Sequence, residues 1–143
     1  MTKKPFTATL CYQVVQLCKA HRQKAEALLS MVGLHTGQEL ILMHLCSKDG
    51  VMQSELVDEM CVQPATITKS LDRMVAAGFV ERRPDVQDRR VSRVYLTAEG
   101  RALQSKVEAV WQELETTTFG DCNSADQEQL HRLMTRAREN VMR

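Results

Sequence analysis

Between residues 53 and 97 the hydrophobic period changes from helical to alternating, and two short helical segments precede the change. Gln53–Met60 carries Leu56, Val57 and Met60 at helical spacing. Cys61-Val62-Gln63 reads as a turn. Pro64 suits a first helical position, where its missing N–H would have no partner anyway. The helix it opens runs to about Ala77, with Ile67, Leu71, Met74 and Val75 as its buried stripe, and Gly78 stops it. Phe79–Arg83 then reads as a strand and Pro84–Asp88 as a turn. In a second strand Val91, Arg93 and Tyr95 alternate with Ser92, Val94 and Leu96. A short helix, a tight turn, a second helix and a two-stranded hairpin, in that order, make a winged helix-turn-helix.

The flanks are helical. Residues 7–30 read as one long helix with Leu10, Val14, Leu17, His21 and Leu28 on a stripe, Cys11 and Cys18 beside it, and a polar second half, Lys19–Glu26, expected to be exposed. Thr36-Gly37-Gln38-Glu39 reads as a capping box. It opens a helix apolar nearly all round (Leu40, Ile41, Met43, His44, Leu45, Cys46), which should be central. Lys48-Asp49-Gly50 is a turn. Thr97 should cap a single helix over 98–116 with Leu103, Val107, Val110, Trp111 and Leu114 on one side. Ser124-Ala125-Asp126-Gln127 reads as a second capping box, opening a last helix with Leu130, Leu133, Met134, Ala137 and Val141. The fold class is therefore mainly α with a small β-hairpin wing.

Composition removes several classes. The 143 residues suffice for one domain, and aromatics at 4% suit helix packing better than a β-sandwich. No apolar run approaches the ~20 residues of a membrane span, and the start shows no signal peptide, so a cytoplasmic protein with no membrane partner is expected. The five cysteines (Cys11, Cys18, Cys46, Cys61, Cys122) are scattered and form no CxxC pair. They are expected to be mostly buried thiols rather than a disulfide framework or zinc site. Cys18 and His21 could share a metal, but no further ligand pattern supports it, and no cofactor is implied. No Ser/His/Asp arrangement, glycine-rich phosphate loop or carboxylate pair suggests an enzyme.

Charge is near balance at +1, yet residues 69–101 hold eight basic and five acidic residues. That local excess is an electrostatic footprint for phosphate. The helix 64–77 should enter a major groove N-terminus first, which makes Gln63, Ala65, Thr66, Thr68 and Lys69 candidates for base edges and phosphates, with Arg73 better placed for a phosphate or an internal pair. The hairpin tip projects Arg89 and Arg90, and a guanidinium there can enter a narrow minor groove. Asp88, which would repel DNA if free, is expected to brace Arg90. Arg93 adds a further cation.

Asp88-Arg89-Arg90-Val91-Ser92-Arg93-Val94-Tyr95-Leu96-Thr97-Ala98-Glu99-Gly100 resembles the wing of the MarR/SlyA regulators, whose pattern is D-x-R-x-x-x-V-x-L-T-x-x-G. Ser54-Glu55-Leu56, Thr66–Lys69, Leu71–Met74 and Gly78–Arg82 also fit. Gly33-Leu34-His35-Thr36-Gly37-Gln38 is similar to the family's Gly-Leu-Thr-x-x-Gln, with His35 where Thr is usual. The resemblance covers about residues 10–140. It implies one domain over 1–143, with dimerisation helices at 1–34 and 98–143 and a DNA-binding lobe at 35–97. It further implies a homodimer on a pseudo-palindromic operator in double-stranded DNA, with Arg90 as the minor-groove arginine.

The family mostly responds to small aromatic anions or to oxidants. Cys11, His35, Met43 and His44 are the candidate effector-binding residues, each weighed against a plain core or capping role. Leu10-Cys11-Tyr12 resembles the hydroperoxide-sensing branch, which would make Cys11 a redox switch, although the tyrosines expected to support it later in the first two helices are absent. The reading from sequence is thus a DNA-binding regulator, expected to be a repressor released by a small aromatic or phenolic ligand. The alternatives are a Cys11 thiol sensor and a winged helix used only for protein contacts, which Arg89, Arg90 and Arg93 argue against.

Overall fold

The computed structural model describes residues 3–143. The chain divides into two compact units, Met1–Val110 and Trp111–Arg143. Among the described residues, no helix is long and apolar enough to cross a membrane.

In the first unit a 3-10 turn at Phe6–Ala8 precedes α1 (Leu10–Ser30). The Thr9 hydroxyl accepts from the Tyr12 amide at 3.2 Å, which starts the helix three residues later than its apolar pattern suggests. The expected burial of α1 is reversed along its length. Ala25 and Leu29 are buried, whereas Leu10 and Val14 are 82% and 60% exposed. Among the described residues, the N-terminal stripe is left exposed.

α2 (Gln38–Ser47) is central, as its composition demands: Ile41, Leu42 and Leu45 are fully buried. The capping box at its start does not form. Gly37, in the left-handed region, is the N-cap residue, and the Glu39 carboxylate accepts from the Gly37 amide at 2.8 Å. The Thr36 hydroxyl is buried without a partner among the described residues. Burial pushes the Glu39 carboxyl up, opposed by that amide bond.

A strand that alternation could not reveal, β1 (Val51–Met52), follows α2. Two residues are too short to show a period. β1 pairs antiparallel with β3 (Ser92–Leu96), which also pairs antiparallel with β2 (Val80–Pro84). The wing is therefore the outer part of a three-stranded sheet ordered β1-β3-β2, not an isolated hairpin. A two-stranded ribbon alone is marginal in water, and the third strand anchors it.

α3 (Gln53–Met60) and α4 (Pro64–Ala76) form the helix-turn-helix. Pro64 stands in the first turn of α4, as read from sequence. Ile67, Leu71 and Met74, spaced by four and three, are buried together with Leu56 of α3, each worth about 1.5–3 kcal/mol. Val75, expected on this stripe, is 39% exposed. α4 ends in a Schellman turn. Phe79 N–H donates to Met74 and Gly78 N–H to Val75, with Gly78 at φ +82°, a conformation that costs a side-chain-bearing residue about 1–2 kcal/mol.

The single helix expected over 98–116 is two. α5 (Ala98–Ala102) begins at Thr97, whose hydroxyl accepts from Gly100 N–H at 3.0 Å, and α6 (Gln104–Phe119) starts after a one-residue interruption at Leu103. Leu103, Val107, Val110 and Leu114 are buried, whereas Trp111 is 40% exposed.

The second unit holds the end of α6 and α7 (Ser124–Val141). α7 is capped one residue earlier than expected. Asn123, not Ser124, accepts from the Asp126 amide at 2.8 Å, and Gln127 donates to the carbonyls of Phe119 and Cys122 to close the connection. No α7 residue is buried, and Leu133, Met134 and Val141 are exposed.

The cysteines correct a further expectation. Cys11, Cys18 and Cys61 are exposed, and Cys46 and Cys122 are half-buried. For these two, burial holds the thiols above their ordinary range.

Candidate nucleic-acid interface

Ile67, Leu71 and Met74 fix α4 in rotation, and its opposite face is left to solvent. Gln63, Ala65, Thr66, Thr68 and Lys69 are all exposed there. Gln53, the first residue of α3, crosses to this face and donates from Nε2 to the Thr68 hydroxyl at 2.9 Å. Sequence reading missed Gln53. Its position at the start of the first helix of the motif was the only available signal.

α4 is tied to the sheet through its acidic residue. Arg82 of β2 pairs with Asp72 at 2.8 Å and reaches the Thr68 carbonyl at 3.4 Å. The pair offsets a carboxylate that would repel phosphate. Arg73 stands apart from the other α4 candidates. It lines a cleft of about 430 Å³ with Arg22, Glu26, Ser30, Leu34, His35 and Thr36.

The wing tip is ordered by two aspartates. Asp85 Oδ2 accepts from the Gln87 and Asp88 amides at 3.1 and 2.9 Å, an Asx turn that sets the loop. The backbone closes it, with Asp85 N–H donating to Val91 and Val91 N–H to Asp88. Asp88 accepts from the Arg90 amide at 3.1 Å and from its guanidinium at 3.1 and 3.3 Å. This is the expected brace. The Arg90 side chain nonetheless stays 91% exposed. Arg89 is exposed and forms no ion pair among the described residues.

Arg93 has a different place. Its Nε donates to Asp85 Oδ1 at 2.6 Å and its Nη1 to the Gly50 carbonyl at 2.8 Å. It joins the wing loop to the turn before β1, so its guanidinium is engaged inside the fold rather than projected beside Arg90. The Arg93 hydrogen bond is the chief cause holding the Asp85 carboxyl below the ordinary range, and the Arg90 hydrogen bond does the same for Asp88. Both carboxylates therefore stay ionised at neutral pH. On β2, Arg83 lies over the Tyr95 ring at 4.3 Å.

Two of the four effector candidates line different clefts. His35 lines the cleft with Arg22 and Arg73, while His44 lines a separate one of about 200 Å³ with Lys48, Glu55 and Glu59. Met43 is half-buried on α2 and lines neither. Cys11 is exposed in the first turn of α1.

Residues 34–92, from the turn before α2 to the first residue of β3, match the family model described as "MarR family". The HTH-type transcriptional regulator TtmR of Methylorubrum extorquens (strain PA1) is 30% identical over 101 residues, 71% of this chain. The match spans 52% of that relative's length, so the chain covers about half of it. Among solved structures, a cysteine-to-serine mutant of MarR from E. coli complexed with operator DNA superposes with a TM-score of 0.85 at 22% identity, covering 94% of this chain and 99% of the other. Bordetella bronchiseptica BpsR, studied for regulation of its DNA binding by 6-hydroxynicotinic acid, gives 0.86 at 21%, covering 94% and 96%. At these identities the structural likeness is one of fold, and it runs well beyond the matched segment. The helix-turn-helix and the wing loop lie on the segment that matches the MarR family, and the rest of the chain shares the fold of that family's solved structures.

Proposed function

We propose that this protein is a sequence-specific, double-stranded-DNA-binding transcriptional regulator that works as a homodimer, represses from the cytoplasm, and releases its operator when a small aromatic or phenolic acid binds. Arg90 carries this reading: a guanidinium braced by Asp88 at the tip of an ordered wing and 91% exposed, on the same motif as the exposed polar face of α4. A braced cation with no other partner among the described residues is suited to the narrow minor groove, while Gln63, Ala65, Thr66, Thr68 and Lys69 meet the adjacent major groove. The relative solved on operator DNA shares the fold that presents these residues.

Two observations support the finer parts. Phe6, Leu10, Val14 and Leu17 form an exposed apolar stripe at the start of α1, and Leu133, Met134 and Val141 are exposed on α7. Such surface favours burial against a second subunit. Two motifs in a dimer would then meet successive major grooves about 34 Å apart. Arg22, Arg73 and His35 line one cleft; Glu26 pairs with Arg22 there at 3.4 Å, which leaves Arg73 as the cation suited to a carboxylate. The fold's occurrence in BpsR accords with an aromatic acid.

Fluorescence anisotropy against the DNA upstream of its own gene tests the reading. Wild type should bind with an affinity that falls steeply with salt. Arg90→Ala should lose about 1–3 kcal/mol with unchanged dimer mass and circular dichroism. Salt-insensitive binding, or none, would favour the protein-contact alternative. Unchanged affinity in Arg90→Ala would remove its groove role. One observation favours a second reading, a thiol switch: Cys11 is exposed near the start of α1, where an oxidant can approach it.

A further inference from the structure

Thr68 is exposed on the α4 face, yet its hydroxyl is already engaged. A threonine hydroxyl has one hydrogen to donate and two lone pairs to accept with. Here Oγ1 donates to the Pro64 carbonyl one turn back, at 3.1 Å, and accepts from Gln53 Nε2 at 2.9 Å. The hydrogen is spent on the helix backbone and one lone pair on α3. The hydroxyl is thereby turned toward its own helix and its neighbour, and what this exposed side chain leaves unengaged is the Cγ2 methyl and one lone pair of the hydroxyl.

The consequence follows from what base edges offer. In the major groove, guanine N7 and O6, adenine N7 and thymine O4 all require a donor, which the Thr68 hydroxyl no longer has to give; its one remaining lone pair could accept only from adenine N6 or cytosine N4. Thymine alone also presents a methyl group. A free threonine in a helix divides between two rotamers, because its hydroxyl can bond either of two preceding carbonyls. The Gln53 bond holds one of them before any DNA arrives, so less ordering is required on contact.

We propose that Thr68 is a specificity-determining residue that reads a thymine through its methyl group, and that Gln53 is the positioning residue that holds it in the reading rotamer. This rests on the DNA-binding reading above and names what one contact of that interface recognises. Bringing two methyl groups out of water is worth roughly the transfer of one, about fourfold in affinity per half-site, and on the order of fifteenfold for a symmetric duplex contacted twice.

The test uses a duplex selected by the full-length wild type from a randomised library. Affinities are measured for that duplex and for copies carrying deoxyuridine in place of each symmetry-related thymine pair, which removes only the methyl. One pair should cost wild type about fifteenfold. Thr68→Ser, which keeps the hydroxyl and lacks the methyl, should bind the two duplexes equally. Thr68→Val, which keeps the methyl and is stiff in a helix on its own, should discriminate as wild type does. Gln53→Ala should discriminate less, and the double variant Gln53→Ala/Thr68→Val should recover discrimination, a rescue that a merely structural Gln53 would not give. Discrimination retained in Thr68→Ser, or abolished in Thr68→Val, overturns the proposal while leaving DNA binding in place. Failure to select any duplex bound in a salt-dependent way overturns both, and is distinguished by the loss of binding itself.

Discussion

Gly100 is where the wing is joined to the helices behind it, and replacing it by alanine should cost more than replacing any open glycine of the chain. It lies in the first turn of α5 and is buried. A Cβ built there would overlap the Phe79 carbonyl oxygen, lie 2.9 Å from the Phe79 carbonyl carbon and 3.2 Å from Leu96 Cδ2. The overlap with the oxygen is the tighter constraint, so the backbone must retreat by about 1 Å or more to restore an ordinary van der Waals separation. That carbonyl accepts from Thr97 N–H at 3.1 Å, and the neighbouring Gly78 carbonyl accepts from the Thr97 hydroxyl at 2.6 Å. Overpacking costs about 1–3 kcal/mol. Weakening the Thr97 bond and its cap adds about 1 kcal/mol each. Alanine's better helix propensity returns about 1 kcal/mol. The net loss is about 2–4 kcal/mol, near 10 °C in melting temperature at about 3 °C per kcal/mol for a chain of this size. Gly78→Ala is the control: no atom lies within 4 Å of its added Cβ, so only the left-handed penalty of about 1–2 kcal/mol applies. Urea unfolding followed by circular dichroism, at one fixed protein concentration because the assembly state contributes to stability, measures both. If Gly100→Ala is no less stable than Gly78→Ala, the close approach of Phe79 is not what requires glycine there.

Asp85→Asn should loosen the wing with a defined pH signature. The folded-state pKa of Asp85 is lowered, so its stabilising contribution is present at neutral pH and is lost as pH falls below about 4. The stability gap between wild type and the variant should therefore narrow under acid; a gap independent of pH down to the acid limb would refute the Arg93 link. For the sensing readings, peroxide should release DNA from wild type and not from Cys11→Ser if Cys11 is the switch. An equal response in both proteins, alongside release by phenolic acids, would leave the ligand reading alone standing.

What was legible in the sequence depended on how many residues each feature used. α4 was read nearly to its ends because a proline, a stripe at spacings of four and three, and a terminal glycine all agree. β1, two residues long, carried no period at all, yet it turns a marginal ribbon into a sheet and supplies the turn whose Gly50 carbonyl holds Arg93. The capping boxes at Thr36 and Ser124 met the pattern and failed in the structure, because a better conformation lay one residue away at Gly37 and Asn123. The apolar start of α1 was correctly seen as a stripe, but a single chain gives no indication that the stripe faces outward, since periodicity reports a face and not what covers it. At the interface the same limit separates Arg90 from Arg93. Both are arginines in a basic segment, three residues apart, and composition ranks them equally. What distinguishes them is the partner. Asp88 is two residues from Arg90 and was found by spacing, whereas Arg93 is claimed by Asp85 eight residues back and by a carbonyl forty-three residues back. The wing thus uses one arginine to join its loop to the turn before β1 and leaves another exposed at the tip, braced by Asp88, and that division of labour follows from sheet register rather than from charge.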